Sequence, residues 1–145
     1  MIKNHNMKKG LFAFIMSAVV LIACSKGDSP APTPNPPTPT PEATIVFTVD
    51  PDPGTGIYAS LGSSQSMTVN ISSTIPSAGV TVDVKTTKDS DGSTVSSSSV
   101  ASTTAKNTIS IDNLVSGVLC TTTVTVTSKS KADNNATKSF KIARK

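Results

Sequence analysis

Few side chains in this chain can do chemistry, and their types narrow what that chemistry could be. There are two cysteines, Cys24 and Cys120, and one histidine, His5. A nucleophilic cysteine needs a base beside it, and beyond residue 5 no histidine exists to supply one. Asp50 and Asp52 flank a proline and could work as a carboxylate pair, yet no third catalytic group accompanies them, and they are expected as solvated loop acids. Asp89-Ser90-Asp91-Gly92 begins like a calcium loop. An EF-hand would close on a bidentate glutamate where this sequence has Val100, so a hairpin turn is expected instead. Asn70-Ile71-Ser72 and Asn135-Ala136-Thr137 fit the glycosylation sequon, a weak signal by itself. No catalytic, cofactor-binding or metal-binding set emerges, and the chain does not read as an enzyme.

Cys24 is different, because its context is specific. A basic stretch ends at Lys8-Lys9, thirteen apolar or small residues follow from Leu11 to Ala23, and then comes the cysteine. Thirteen residues fall short of the ~20 that span a bilayer as a helix, which suits a signal-peptide core better than an anchor. Leu21-Ile22-Ala23-Cys24 resembles the bacterial lipobox, in which the cysteine after a small residue receives diacylglycerol. The resemblance implies cleavage before Cys24, with residues 1–23 as leader and Cys24 as the lipidated N-terminus. Met7-Lys8-Lys9 also looks like a natural start. Ser25-Lys26-Gly27-Asp28 lacks the aspartate directly after the cysteine that retains lipoproteins in the inner membrane of enterobacteria. It is similar to the polar surface-export signals of Bacteroidetes lipoproteins, although only one acid is present. An outer-membrane lipoprotein, facing outward, is what these resemblances imply.

Removing the leader changes the charge. The chain carries 13 basic and 9 acidic residues. Lys3, Lys8 and Lys9 leave with the leader, so ten basic residues (13 − 3) face nine acids. The mature chain is near neutral, which gives no argument for nucleic acid. Residues 24–42 then form a linker. Seven prolines between Ser29 and Pro41 favour a semi-rigid polyproline-II spacer, and thirteen such residues reach ~40 Å.

The elements that must position everything else lie in residues 43–145. Over a third of these are Ser or Thr, no 3.6-residue period is visible, and period-2 alternation recurs. Ile45, Phe47 and Val49 share a face. So do Met67, Val69 and Ile71; Val80, Val82 and Val84; Ile109 and Ile111; Val118, Cys120, Thr122, Val124 and Val126; and Phe140 and Ile142. A weaker segment near Thr94 to Val100 brings the total to seven strands. Asp52-Pro53-Gly54 and Gly62-Ser63-Ser64 bracket a loop, Pro76-Ser77-Ala78-Gly79 precedes the third strand, and Asp91-Gly92 closes a hairpin. Seven short strands with one apolar face each predict two antiparallel sheets packed face to face. On such a strand Cys120 is expected as a small buried hydrophobe rather than an intermolecular disulfide.

Leu114-Val115-Ser116-Gly117-Val118-Leu119-Cys120, running into Thr121 to Val126, resembles the fibronectin type III pattern that leads into strand F. Leu114 and Gly117 match, and Cys120 stands where that family places its corner tyrosine. The resemblance implies a seven-stranded Ig-like, fibronectin type III-like antiparallel β-sandwich and assigns no site. A thiol cannot reach as a phenol does, so the corner must be held by another group.

Two functional classes follow. The first is a non-catalytic module displayed at the cell envelope, attached to the membrane through its N-terminal lipid, with a structural role or one of contact with a protein partner or larger envelope assembly. The alternative is a glycan-binding lipoprotein of a polysaccharide-uptake system. Sugar faces favour exposed aromatic platforms, and only Tyr58 is expected in a loop, while Phe47 and Phe140 are expected in the core.

Overall fold

The alternating segments become strands of two sheets. The computed structural model describes residues 40–145. The leader, Cys24 and nearly all of the proline-rich linker lie outside the described residues. In chain order the strands are β1 (Phe47–Asp50), β2 (Ile57–Ser60), β3 (Gln65–Ile71), β4 (Val80–Lys88), β5 (Thr94–Ser102), β6 (Lys106–Ile111), β7 (Leu119–Ser128) and β8 (Asn135–Arg144), with no helix among the described residues. One sheet has the order β1-β3-β6 and the other β2-β8-β7-β4-β5. This is an all-β sandwich of two sheets.

The core is the set of positions that alternation places inward. Phe47, Val49, Met67, Val69, Ile71, Ile109 and Ile111 come from the small sheet. They meet Val80, Val82, Val84, Cys120, Val124, Val126, Phe140 and Ile142 of the large one. Fully burying a Val, Ile, Met or Phe side chain stabilises by roughly 1.5–3 kcal/mol, so this interface dominates the fold. Two hydroxyls share the interior: Thr86 and Thr122, both fully buried, are hydrogen-bonded to each other at 2.8 Å.

The structure corrects the expected fold in two respects. There are eight strands rather than seven, because Ile57–Ser60 is a strand where a loop was expected. The sandwich is also not wholly antiparallel, since β2 pairs parallel with β8. The cause lies in the sequence between β1 and β2. Pro51 and Pro53 have no N–H to give to a ladder, and they interrupt the first run. The chain then continues in the same direction along the other sheet and meets β8 parallel.

Strand directions gather the loops at two ends. At the root, where the described chain enters, lie the β3–β4, β5–β6 and β7–β8 connections. Lys129 N donates to Gly79 O there at 3.0 Å, and Ile71 N to Ala105 O at 2.8 Å. Gly79 is required at this end. Its φ is +82°, and a Cβ would stand 2.5 Å from Ser102 O. At the tip lie the β2–β3, β4–β5 and β6–β7 connections. Leu114 N donates to Ser63 O at 2.9 Å, and Asp89 N to Leu119 O at 3.0 Å.

Candidate functional site

The root is held by a cluster that the sequence pattern did not disclose. Asn134, in the β7–β8 connection, accepts from Ile45 N at 3.1 Å through Oδ1. Its Nδ2 donates to Ala43 O at 2.9 Å and to Glu42 Oε2 at 3.1 Å. Ser130 Oγ donates to the other Glu42 oxygen. The hydroxyl of Ser130, then Asn134 and Ser128, hold the Glu42 carboxyl below its ordinary value. One asparagine thus fixes the chain just before β1 against the loop before β8. Only a pairing of residues ~90 positions apart produces this cluster, and period-2 alternation carries no such information.

The tip is tied together differently. Gly117 N donates to Arg144 O at 3.0 Å, and Arg144 Nη1 donates to Leu114 O at 3.4 Å. Lys145 N donates to Ser60 O at 3.0 Å. These bonds draw the β2–β3 and β6–β7 connections to the end of β8. Around them Leu61 is 86% exposed and Val115 52%, with Leu119 also exposed at the start of β7. Val46 at the root and Ile57 in β2 are exposed as well, but only at the tip do three such groups gather, the kind of surface that protein contacts use.

The residues singled out for chemistry are kept apart. Asp91 Oδ1 accepts from Ser93 N at 2.8 Å and turns the β4–β5 hairpin, with Gly92 at φ 70° beside it. Asp89 instead accepts from Thr121 Oγ1 at 2.6 Å and pairs with Lys141 Nζ at 2.5 Å. The Lys141 ammonium first, and the Thr121 hydroxyl second, hold the Asp89 carboxyl below its ordinary value. The two carboxylates therefore do not converge on a common ligand. Asp52 Oδ1 accepts from Gly54 N at 2.9 Å, while Asp50 ends β1 with its side chain exposed. No group of three metal-ligand side chains occurs among the described residues.

Cys120 lies in the core at 1% exposure, opposite Ile142 and Lys88. Burial pushes its thiol up, with Asp89 adding to the shift, so the sulfur stays protonated and packs as a hydrophobe. Tyr58 departs from expectation. It is not a loop residue but lies in β2 opposite Ile142, half-buried against the core. Its ring is therefore not free to form an aromatic platform. Cys24, the expected lipidation site, lies outside the described residues.

The large sheet turns a hydroxyl-rich face outward. Thr123 Oγ1 and Ser139 Oγ are 3.1 Å apart across β7 and β8, and Thr125 Oγ1 and Thr137 Oγ1 are 3.0 Å apart. Asp83 and Lys85 of β4 add one charge of each sign to this face. Its hydroxyls satisfy one another in cross-strand pairs. No protein-family model matches this chain and no curated protein matches it, so the functional reading rests on the geometry and the sequence.

Proposed function

We propose that this chain is an exported lipoprotein, lipidated on Cys24 at the outer membrane, that displays a non-catalytic Ig-like module at the cell surface for contact with a protein partner. The leader and Leu21-Ile22-Ala23-Cys24 support the anchor. The observation that carries the display role is the polarity of the sandwich. Asn134 and Ser130 hold Glu42 at the root, where the linker arrives, and the exposed Leu61 and Val115 lie at the opposite end. A tether at the root points the tip away from the membrane. The chemistry-bearing side chains support a contact role over catalysis: Asp89, Asp91 and Asp52 are each engaged locally, and the Cys120 thiol is buried.

Metabolic labelling with an alkyne fatty acid tests the anchor. The wild type should take up label and fractionate with the outer membrane, and Cys24→Ala should do neither. Label retained in Cys24→Ala, or absent from the wild type, would refute the lipoprotein reading. Protease treatment of intact cells tests the outward face, where cleavage of the domain is expected.

A further inference from the structure

Four strands form the sheet edges, and three of them are poor templates for another strand. β1 and β2 have four residues each, and β6 has six and begins with Lys106. β5 is unlike these. It has nine residues, Thr-Val-Ser-Ser-Ser-Ser-Val-Ala-Ser, with no charge, proline or glycine. Its register with β4 shifts only between Thr86 and Thr87, and from Ser96 to Ser102 the pairing is regular. Among the described residues no backbone N–H or C=O of Thr94–Ser102 bonds outside the β4–β5 ladder, while the Ser96 Oγ accepts from Asp112 N at 3.1 Å. Natural edges of this length usually carry lysine, proline or an inward charge, because unpaired N–H and C=O groups recruit other strands. β5 carries none of these, and its one bulge, at Val95, leaves Ser96–Ser102 regular.

We propose that β5 pairs antiparallel with β5 of a second copy of this chain, joining the two five-stranded sheets into one. The inference rests on reading the domain as a protein-contact module and names the partner. A two-fold axis through Ser98 gives a regular pairing over Ser96–Val100, and the bulge at Val95 lies outside it. Ser98 faces its own mate, Ser97 faces Ser99 of the second copy, and Ser96 faces Val100. The adjoining strand makes this register favourable for a like partner. Lys85 lies beside Ser97 and Asp83 beside Ser99. Each cross-sheet row therefore ends in Lys85 of one copy and Asp83 of the other, with serines between them. These two outward rows each hold one charge of either sign, and no like charges are brought face to face. The two-fold also sets the root of one domain beside the tip of the other.

The purified full chain in detergent tests this with a short thiol-to-thiol cross-linker. Ser98→Cys should give a cross-linked dimer. Thr94→Cys alone should not, because its mates lie ~27 Å apart at ~3.4 Å per residue. Mixed Ser96→Cys and Val100→Cys chains should cross-link. Adding Ser97→Lys and Ser99→Lys to Ser98→Cys sets lysines opposite lysines on an exposed face, and should abolish the dimer while the urea midpoint holds. Equal cross-linking of the Ser98→Cys and Thr94→Cys chains, or a wild type that sediments as a monomer at every concentration in density-matched detergent, overturns the pairing. Fatty-acid labelling reads the anchor independently, so failure of the pair and failure of the lipoprotein reading are separable.

Discussion

Arg144 Nη1 reaches the carbonyl of Leu114 at 3.4 Å, while the Arg144 carbonyl accepts from Gly117 N at 3.0 Å. In fibronectin type III-like and related sandwiches a tyrosine hydroxyl bonds back to the backbone at this corner. Here Cys120, which the sequence resemblance sets at that position, faces the core, its Sγ 3.9 Å from Val118 O. The last strand supplies the missing donor. Arg144→Met keeps the aliphatic stem and removes the guanidinium. Stability should fall by ~0.5–1.5 kcal/mol, the usual worth of such a bond. Hydrogen exchange should quicken across residues 112–118 and stay unchanged across 129–134. Equal quickening at both ends would show that Arg144 does not act locally.

The buried hydroxyl pair makes a sharper energetic prediction. Thr86 and Thr122 satisfy each other with no water-exposed surface, so Thr122→Val leaves the Thr86 hydroxyl without its partner. The single change should cost ~1–3 kcal/mol in urea denaturation. Replacing both with valine removes the orphan as well as the bond and should recover most of that loss. A double variant as unstable as the sum of the singles would refute the pair's isolation.

The assigned strand faces are tested at neighbouring residues. Val124 is fully buried and Thr123 points outward. Val124→Asp places a carboxylate in the core and should unfold the domain or cost several kcal/mol. Thr123→Asp loses only the surface contact with Ser139 and should be mild. Circular dichroism on thermal unfolding separates the two.

The Asp89–Lys141 pair predicts the direction of one pH effect. The folded carboxyl lies below its ordinary value of 3.8, through Lys141 and then Thr121. A group depressed on folding contributes stability that is complete above that value and is lost as pH falls from there through the folded value. Asp89→Asn should therefore be less stable than wild type at neutral pH, with the gap closing as acid is added below 3.8. Because both partners are solvent-accessible, the gap should also narrow with salt.

Strands whose alternation is driven by burial were legible from the residues alone. The inward sets in β3, β4 and β7 match the expected faces, and Phe47, Phe140 and Cys120 are all core. Even β5, whose serines give little contrast, was legible as a weaker segment because it continues from the Asp91-Gly92 turn. β2 was not, for a physical reason. Only four residues long, it presents Ile57 to solvent and buries Ser60, which inverts the usual pattern. Tyr58 was misplaced in consequence. The Glu42–Asn134 cluster was equally hidden, because polar contacts between distant segments leave no periodic trace.

The seating of the chain at Asn134 also has a mechanical consequence. A pull between the arriving linker and a partner held at the tip would run nearly along the strands. Load would enter through Ile45 and pass into β1, whose Phe47–Asp50 is registered against Thr68–Ile71 of β3. Force along a ladder strains all its rungs together, whereas force across it opens them one at a time. Such a pull would place β1 in shear, its stronger geometry, and would first load the clasp of Ser130 and Asn134 on Glu42.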